Sequence, residues 1–306
     1  MNLFSTVLTY PAPSSNYRGE SAENRSVIQK ITKGRFEYAV ISPEAMRNAL
    51  REVFREMKLP CNRERLHDEE QLAVKFQDYP DPDRYVDDFF MGWLIAANKK
   101  DREAILKELK QKGRDPGLFS FKQDSLVRMN MAVALEPYRH DSLFTQSPLN
   151  VDSPWKNAET SQLLHRDVVH TAFQYPFALN LEECSKRPDW VRVLLKAVGE
   201  LHNVAGNHAR SYFEMAPASI LVRLTPNLAA GYGTYGFEVK DGKHLYPEVV
   251  DGIIHEDYPG AEFLLGGKIV KDMDDGMIEA LRRQGATLDR SPQRLLETLG
   301  ERAFSA

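Results

Sequence analysis

The residues from Arg18 to Arg55 constrain this chain most. Ser42-Pro43 opens a helix there, the serine as N-cap and the proline at the first helical position, where its missing N–H costs nothing. Along that helix Met46, Leu50, Val53 and Met57 form an apolar stripe, with Arg47, Arg51 and Arg55 in a column a quarter- to half-turn away. Three like charges stacked a turn apart repel one another. Only Glu44 and Glu52 are placed to pair with the column, and Arg51 has no carboxylate three or four residues to either side. Such a column suits an anion with regularly spaced charges, and a nucleic-acid backbone is the natural candidate.

Five further cations, Arg18, Arg25, Lys30, Lys33 and Arg35, precede the helix. Gly19 allows close backbone approach to a ligand, and Asn24 with Arg25 supplies donors. The runs SVIQKIT and RFEYAVI alternate apolar and polar positions around Lys33-Gly34, which predicts a β-hairpin. Leu3, Phe4, Val7, Leu8 and Tyr10 predict a strand over residues 1–10. Strand, basic loop, hairpin and helix resemble the opening of a β-α-β-β-α-β, RRM-like unit, so the expected fold class is α+β.

Charge is segregated. Residues 18–65 carry 11 basic and 7 acidic side chains, whereas the whole chain of 306 residues has a net charge of −4. That distribution fits one basic groove on an acidic body. Cys61 and Cys184 have no metal-ligand spacing, which favours a reducing compartment. The N-terminus lacks the cationic start of a signal peptide, and the apolar run around Phe89 is too short to span a bilayer, so a cytoplasmic protein with no membrane partner is expected.

Residues 60–180 read as an insertion, with charged helices over 83–97 and 101–112 and a long Ser/Pro/Asn-rich loop from about 140 to 160. Regular structure returns after 186. VRVLLKAVGEL is amphipathic, GNHARSYFEMAPASILVRLTPN reads as two strands about a polar bend, and two helices close the chain, one after Asp274-Asp275 and one opened by Ser291-Pro292.

The chemistry on offer is that of a binder. His165 and His170 are five residues apart, pointing about 140° apart on a helix and to opposite sides of a strand, so no metal site is expected with Asp167. There is no Gly-x-Ser-x-Gly, Walker loop or Cys/His signature, and no cofactor is called for. Asn207, His208 and Arg210 are donors suited to backbone and base contacts, and Tyr212 and Phe213 follow them.

The blocks RGE…NRSVIQKITKGRFEYAVISPEAMRNALRE, LFTQSP, LHRDVVHTAFQYPFALN and GNHARSYFEMAPASILVRL resemble the DevR-type CRISPR-associated proteins, the RAMP superfamily members numbered seventh among the Cas proteins. The resemblance implies a non-catalytic backbone subunit of a type I surveillance complex (Cascade), I-B-like, that binds the CRISPR guide RNA (crRNA). It implies an RRM-like palm (1–59 and 181–306), a helical fingers insertion (60–180) and a β-hairpin thumb around 200–225. Ser42, Arg47, Asn48 and Arg51 match the family's palm helix, Arg18, Asn24, Arg25, Lys30 and Arg35 fall beside it, and Asn207, His208 and Arg210 fall at the thumb. Implied partners are the guide, a target DNA strand paired to it, neighbouring copies in a helical filament and other Cascade subunits. The competing expectation is a RAMP endoribonuclease that processes CRISPR precursor RNA. The loop after the first strand offers only Glu20 and Glu23 where RNA-cutting relatives carry an Asp, which weighs against cleavage.

Overall fold

The structure, a computed structural model, describes residues 1–15, 21–22, 25–65, 74–139, 141–146, 163–204 and 215–304. The chain divides into two compact units, 1–53 with 129–306, and 54–128.

The first unit is organised by one sheet. We label its strands β1 (Asn2–Leu8), β2 (Lys30–Lys33), β3 (Phe36–Ile41), β4 (Ala132–Ala134), β5 (Phe173–Asn180), β6 (Ser219–Thr225), β7 (Phe263–Gly267) and β8 (Thr287–Asp289); they run in the order β8-β7-β6-β1-β5-β4-β3-β2. Neighbours are antiparallel except β7 and β8. The strand expected over residues 1–10 is the central one. Each of its seven residues is in register with both β5 and β6, from Asn2 opposite Asn180 and Thr225 to Leu8 opposite Gln174 and Ser219. Its buried polar members are bonded: Ser5 Oγ donates to Leu221 O (3.1 Å) and Thr6 Oγ1 to Thr234 O (3.0 Å).

The predicted hairpin forms as β2 and β3, turning at Gly34 with φ +65°, where a side chain would be strained. Helix α1 (Pro43–Glu56) follows directly, capped by Ser42 Oγ accepting from Ala45 N (3.2 Å), with Met46, Leu50 and Val53 buried.

The second unit contains α2 (Val86–Met91) and α3 (Lys99–Gln111). The helix expected over 83–97 is therefore much shorter. Gly92 stops it: φ is +58°, and a Cβ there would collide with the carbonyl of Gln123. Two aspartates at α2 hold the preceding loops by their carboxylates. Asp87 accepts from the backbone N–H of Asn62 (2.7 Å) and Arg63 (3.0 Å); Asp88 accepts from Asn62 Nδ2 (2.8 Å) and Asp81 N (3.0 Å). Burial pushes the Asp88 carboxyl above its ordinary range, against the pull of those bonds and of Arg63, 3.8 Å away.

Strands β4 and β5, inside the stretch 60–180 read as an insertion, belong to the main sheet, and the second unit ends at Arg128. FQYPFALN buries side chains on both faces, as a central strand requires, and the sequence shows this as apolarity without alternation. The long loop over 140–160 also differs: Asp141–Gln146 is a strand, antiparallel to the strand Leu163–Thr171. Residues 147–162 lie outside the described residues.

Four helices follow as α4 (Pro188–Gly199), α5 (Pro247–Ile254), α6 (Lys268–Asp272) and α7 (Asp275–Arg283), and α8 (Pro292–Arg302) ends the chain. The two closing helices form as expected, capped by Asp274 and Ser291. One face of the sheet, through Leu8, Leu221, Phe263 and Leu265, shares a core with Val249, Val250 and Ile253 of α5, Ile269 of α6 and Leu281 of α7. Against the other face Leu295 of α8 packs close to Gly266, where a Cβ would lie 2.8 Å from Leu295 Cδ2. Among the described residues no helix is long and apolar enough to cross a membrane.

Replacing Asp87 by Ala leaves the Asn62 and Arg63 N–H groups without their acceptor. This should cost about 2–4 kcal/mol, read as a lower urea midpoint with faster amide exchange at residues 62 and 63.

Candidate nucleic-acid interface

The hairpin β2–β3 and helix α1 carry the sequence-predicted cations whose side chains are described. At the hairpin turn Lys33 and Arg35 are exposed, beside Phe36, itself 53% exposed. An exposed aromatic flanked by two cations offers stacking and phosphate contact together. Phe36 was not singled out from the sequence, where it reads as one more apolar residue of the hairpin. Lys30 is less available. It pairs with Glu37 (3.1 Å) and sits over the ring of Tyr138 (4.5 Å to the centroid).

On α1 the arginines separate into different environments. Arg47 is partly exposed, donating from Nε to Pro43 O (3.3 Å) and from Nη2 to Glu44 (3.2 Å). Such an exposed pair contributes only ~0–1 kcal/mol and yields readily to a better anion. Arg51 is only 6% exposed, and its Nη1 donates to Asn48 Oδ1 (2.9 Å). The column is thus not one solvated face: its middle member is packed into the protein. Arg55 falls in the second compact unit. The Ser42 hydroxyl caps the helix, as expected.

Arg25 is on a short strand, Arg25–Ser26, whose backbone runs parallel to Leu163–Thr171 with Arg25 opposite His165. The basic loop and the LHRDVVH block therefore meet in one small sheet. His165 packs on exposed Phe144 with ring centroids 4.2 Å apart. His165 and His170 lie on one strand at an odd spacing and so face opposite sides. Arg18, Asn24, Asn207, His208 and Arg210 lie outside the described residues, as do Tyr212 and Phe213.

One Ser–His pair was missed, because its members are 25 residues apart in sequence. Ser219 Oγ is 2.8 Å from His244 Nδ1. It also accepts from Ile269 N (2.8 Å) at the start of α6. Both residues are buried, and Asp272 bonds the backbone N–H of His244 (2.8 Å) rather than its ring. The arrangement is a buried structural link and has none of the access a nucleophile needs. Burial, with Lys268 adding to it and Asp272 opposing, lowers the His244 pKa to about 4.

No protein-family model matches the chain. The chain is similar to "CRISPR-associated protein Cas7/Cst2/DevR" of Myxococcus xanthus (strain DK1622), at 27% identity over 290 residues spanning 89% of this chain and 88% of the relative. Among solved structures it is similar to a chain of a "CRISPR RNA-guided surveillance complex, pre-nicking", with a TM-score of 0.64, 11% identity, and 99% of this chain and 100% of that one covered. A chain of a "CRISPR RNA-guided surveillance complex" matches with a TM-score of 0.57, 14% identity, and again 99% and 100% covered. These two likenesses concern the fold. The resemblance noted in the sequence blocks is matched by a homologue of the same description over most of the chain.

Arg51→Ala should lower the stability of the free protein by about 1–3 kcal/mol in urea melts, while Arg35→Ala should leave it within about 0.5 kcal/mol. His244 titrates lower folded than unfolded, so the unfolded chain takes up the proton first and stability falls as pH drops from about 6.5 towards 4. His244→Asn should remove on the order of 2–3 kcal/mol of that acid loss in melts across this window.

Proposed function

We propose, with homology to a Cas7/Cst2/DevR protein as the premise, that this chain is a guide-RNA-binding backbone subunit of a CRISPR RNA-guided surveillance complex. In this reading the subunit holds the guide without cutting it and presents it for pairing with a target DNA strand. Copies stand side by side along the RNA with other subunits of the complex, in the cytoplasm. Head-to-tail stacking is a heterologous contact that does not close, so the RNA length sets the number of copies. Sequence specificity then resides in base pairing, and the protein supplies a charged track.

The observation that carries the reading is the alignment over nine-tenths of the chain. The fold supports it. Strands β6-β1-β5-β4 are adjacent and antiparallel, with α1 in the connection from β1 to β4 and α4 in that from β5 to β6. That is the order expected of a β-α-β-β-α-β palm. In this reading the unit 54–128 supplies the fingers, and the thumb falls in the part of 200–225 that precedes β6, since Ser219–Thr225 belongs to the main sheet.

The proposed RNA contacts are Arg18, Asn24, Arg25, Lys30, Arg35, Ser42, Arg47, Asn48, Arg51, Asn207, His208 and Arg210. Of the described ones, Arg35 is exposed and Arg47 partly exposed, while Arg51 is packed inside with its head on the Asn48 amide, which in this reading it orients toward the strand.

The double variant Arg35→Ala/Arg47→Ala should stay folded and lose at least about tenfold in guide-RNA affinity at 150 mM salt, with a shallower salt dependence and no RNA-length-dependent oligomers on a sizing column. Unchanged oligomers, or cleavage of repeat RNA by the purified protein, would overturn the proposal.

A further inference from the structure

A groove of about 690 Å³ opens on the first unit between the sheet and the segment 235–240. Strand register explains its floor. Ile31 is opposite Tyr38, Val40 is opposite Val133, and Val133 is opposite Gln174, so these side chains share one face of β2, β3, β4 and β5. On that face α5 and its neighbours cover the sheet as far as Leu8, and the cover stops before β2. The volume is in the range of small-molecule sites.

Gln174 gives the groove its chemistry. It is only 7% exposed, yet it lines the groove. Its Oε1 accepts from Phe237 N (3.2 Å), which fixes which way the amide points. Among the described residues its Nε2 has no acceptor. That nitrogen opens on the groove, where an acceptor on a ligand can reach it. Tyr235, whose hydroxyl donates to Met131 O (2.7 Å), and Tyr38 present rings on the lining. Burial raises the Tyr235 pKa to about 12, so the hydroxyl keeps that proton and the ring stays anchored. Four exposed charges also line the groove: Glu238 and Lys240 pair with each other (2.6 Å), whereas Lys33 and Glu136 have no ion-pair partner among the described residues.

We propose that this groove binds a nucleotide whose base carries a ring carbonyl, either free or as one unit of a single strand. The heterocycle packs on Tyr38 and Tyr235, and its carbonyl accepts from Gln174 Nε2. A ring N–H donates to Glu136, and the phosphate lies at Lys33. Aromatic rings tolerate any base. The amide and the carboxylate together select uracil or guanine over adenine, which lacks the carbonyl. An aliphatic peptide side chain would leave both polar groups unmatched, at a cost. The groove's chemistry holds whether or not the chain binds a guide.

The test is calorimetric titration of the full chain at pH 8 with uridine monophosphate, adenosine monophosphate, uridine and a short oligouridylate. Uridine monophosphate or the oligouridylate should bind saturably, and adenosine monophosphate about tenfold more weakly or not at all. Gln174→Glu keeps the acceptor for Phe237 and deletes the open amide donor; it should stay folded by circular dichroism, with a lowered melting temperature from the buried carboxylate, and bind uridine monophosphate at least about tenfold more weakly. Lys33→Ala, at an exposed position, should weaken the monophosphate and leave uridine unchanged. Binding by the monophosphate marks a free-nucleotide site, and binding by the oligouridylate alone, with the same two sensitivities, marks a strand site. No saturable binding of either at millimolar concentration, equal binding of the adenine nucleotide, or insensitivity to Lys33→Ala would overturn the proposal.

Discussion

Everything in the first unit is hung on the double pairing of β1. Seven residues near the N-terminus are in register on one side with a strand about 170 residues later and on the other with one about 220 residues later. Closing loops of that length costs conformational entropy that grows only slowly with length, but none of it is recovered until both neighbours are in place. The strand recovers it by being buried on both faces. Leu3 and Val7 face one layer, Leu8 the other, and the two polar residues between them are each bonded to a backbone carbonyl. A hydroxyl lost from either would leave that carbonyl short of a partner in the centre of the fold.

From that strand outward, the structure becomes progressively more open. The β6 side is closed by α5, α6 and α7 on one face and by α8 on the other. It is fastened at its margin by Arg223, whose Nε reaches Glu262 (2.7 Å) and whose Nη1 reaches the carbonyl of Ala230 (2.8 Å). Arg223 is buried beside the rings of Phe263 and Tyr258, so this pair is paid for in desolvation and returned in the geometry it imposes on the loop after β6. The β2 side has no such cover. There the sheet ends in a two-stranded ribbon whose turn is charged and aromatic, and in the groove beside it. Binding features concentrate where packing stops, because a side chain already used in the core has nothing left to offer a ligand.

How much of this was legible follows from where each signal lies. The N-terminal strand, the hairpin about Gly34, the Ser42 cap and the two closing helices were readable because each is set by residues within a few positions: alternation, a glycine turn, a Ser-Pro or Asp-Asp start. Strand β5 was misplaced because FQYPFALN is apolar on both sides and carries no period to read. The strand Asp141–Gln146 was hidden in a polar stretch whose pairing partner, Leu163–Thr171, supplies the reason for its structure from a distance. The same limit applies to the groove. Gln174 is an unremarkable residue in a strand until Phe237, 63 positions on, takes one end of its amide.

The arginine helix shows why a charge pattern alone does not specify a binding face. A column a quarter-turn from the apolar stripe is at the boundary of burial, and a long aliphatic stem lets an arginine follow the core inward while its head finds local acceptors. Arg51 does this. Its head meets Asn48, one turn back, and the absence of a carboxylate at three or four residues, which looked like a vacancy for an external anion, is met in part by an amide. Arg47, one turn nearer the N-terminus, keeps its charge at the surface with a weak local partner. Of two arginines in one column, the first can exchange its carboxylate for a phosphate at little cost. The second would have to leave the protein interior to do so.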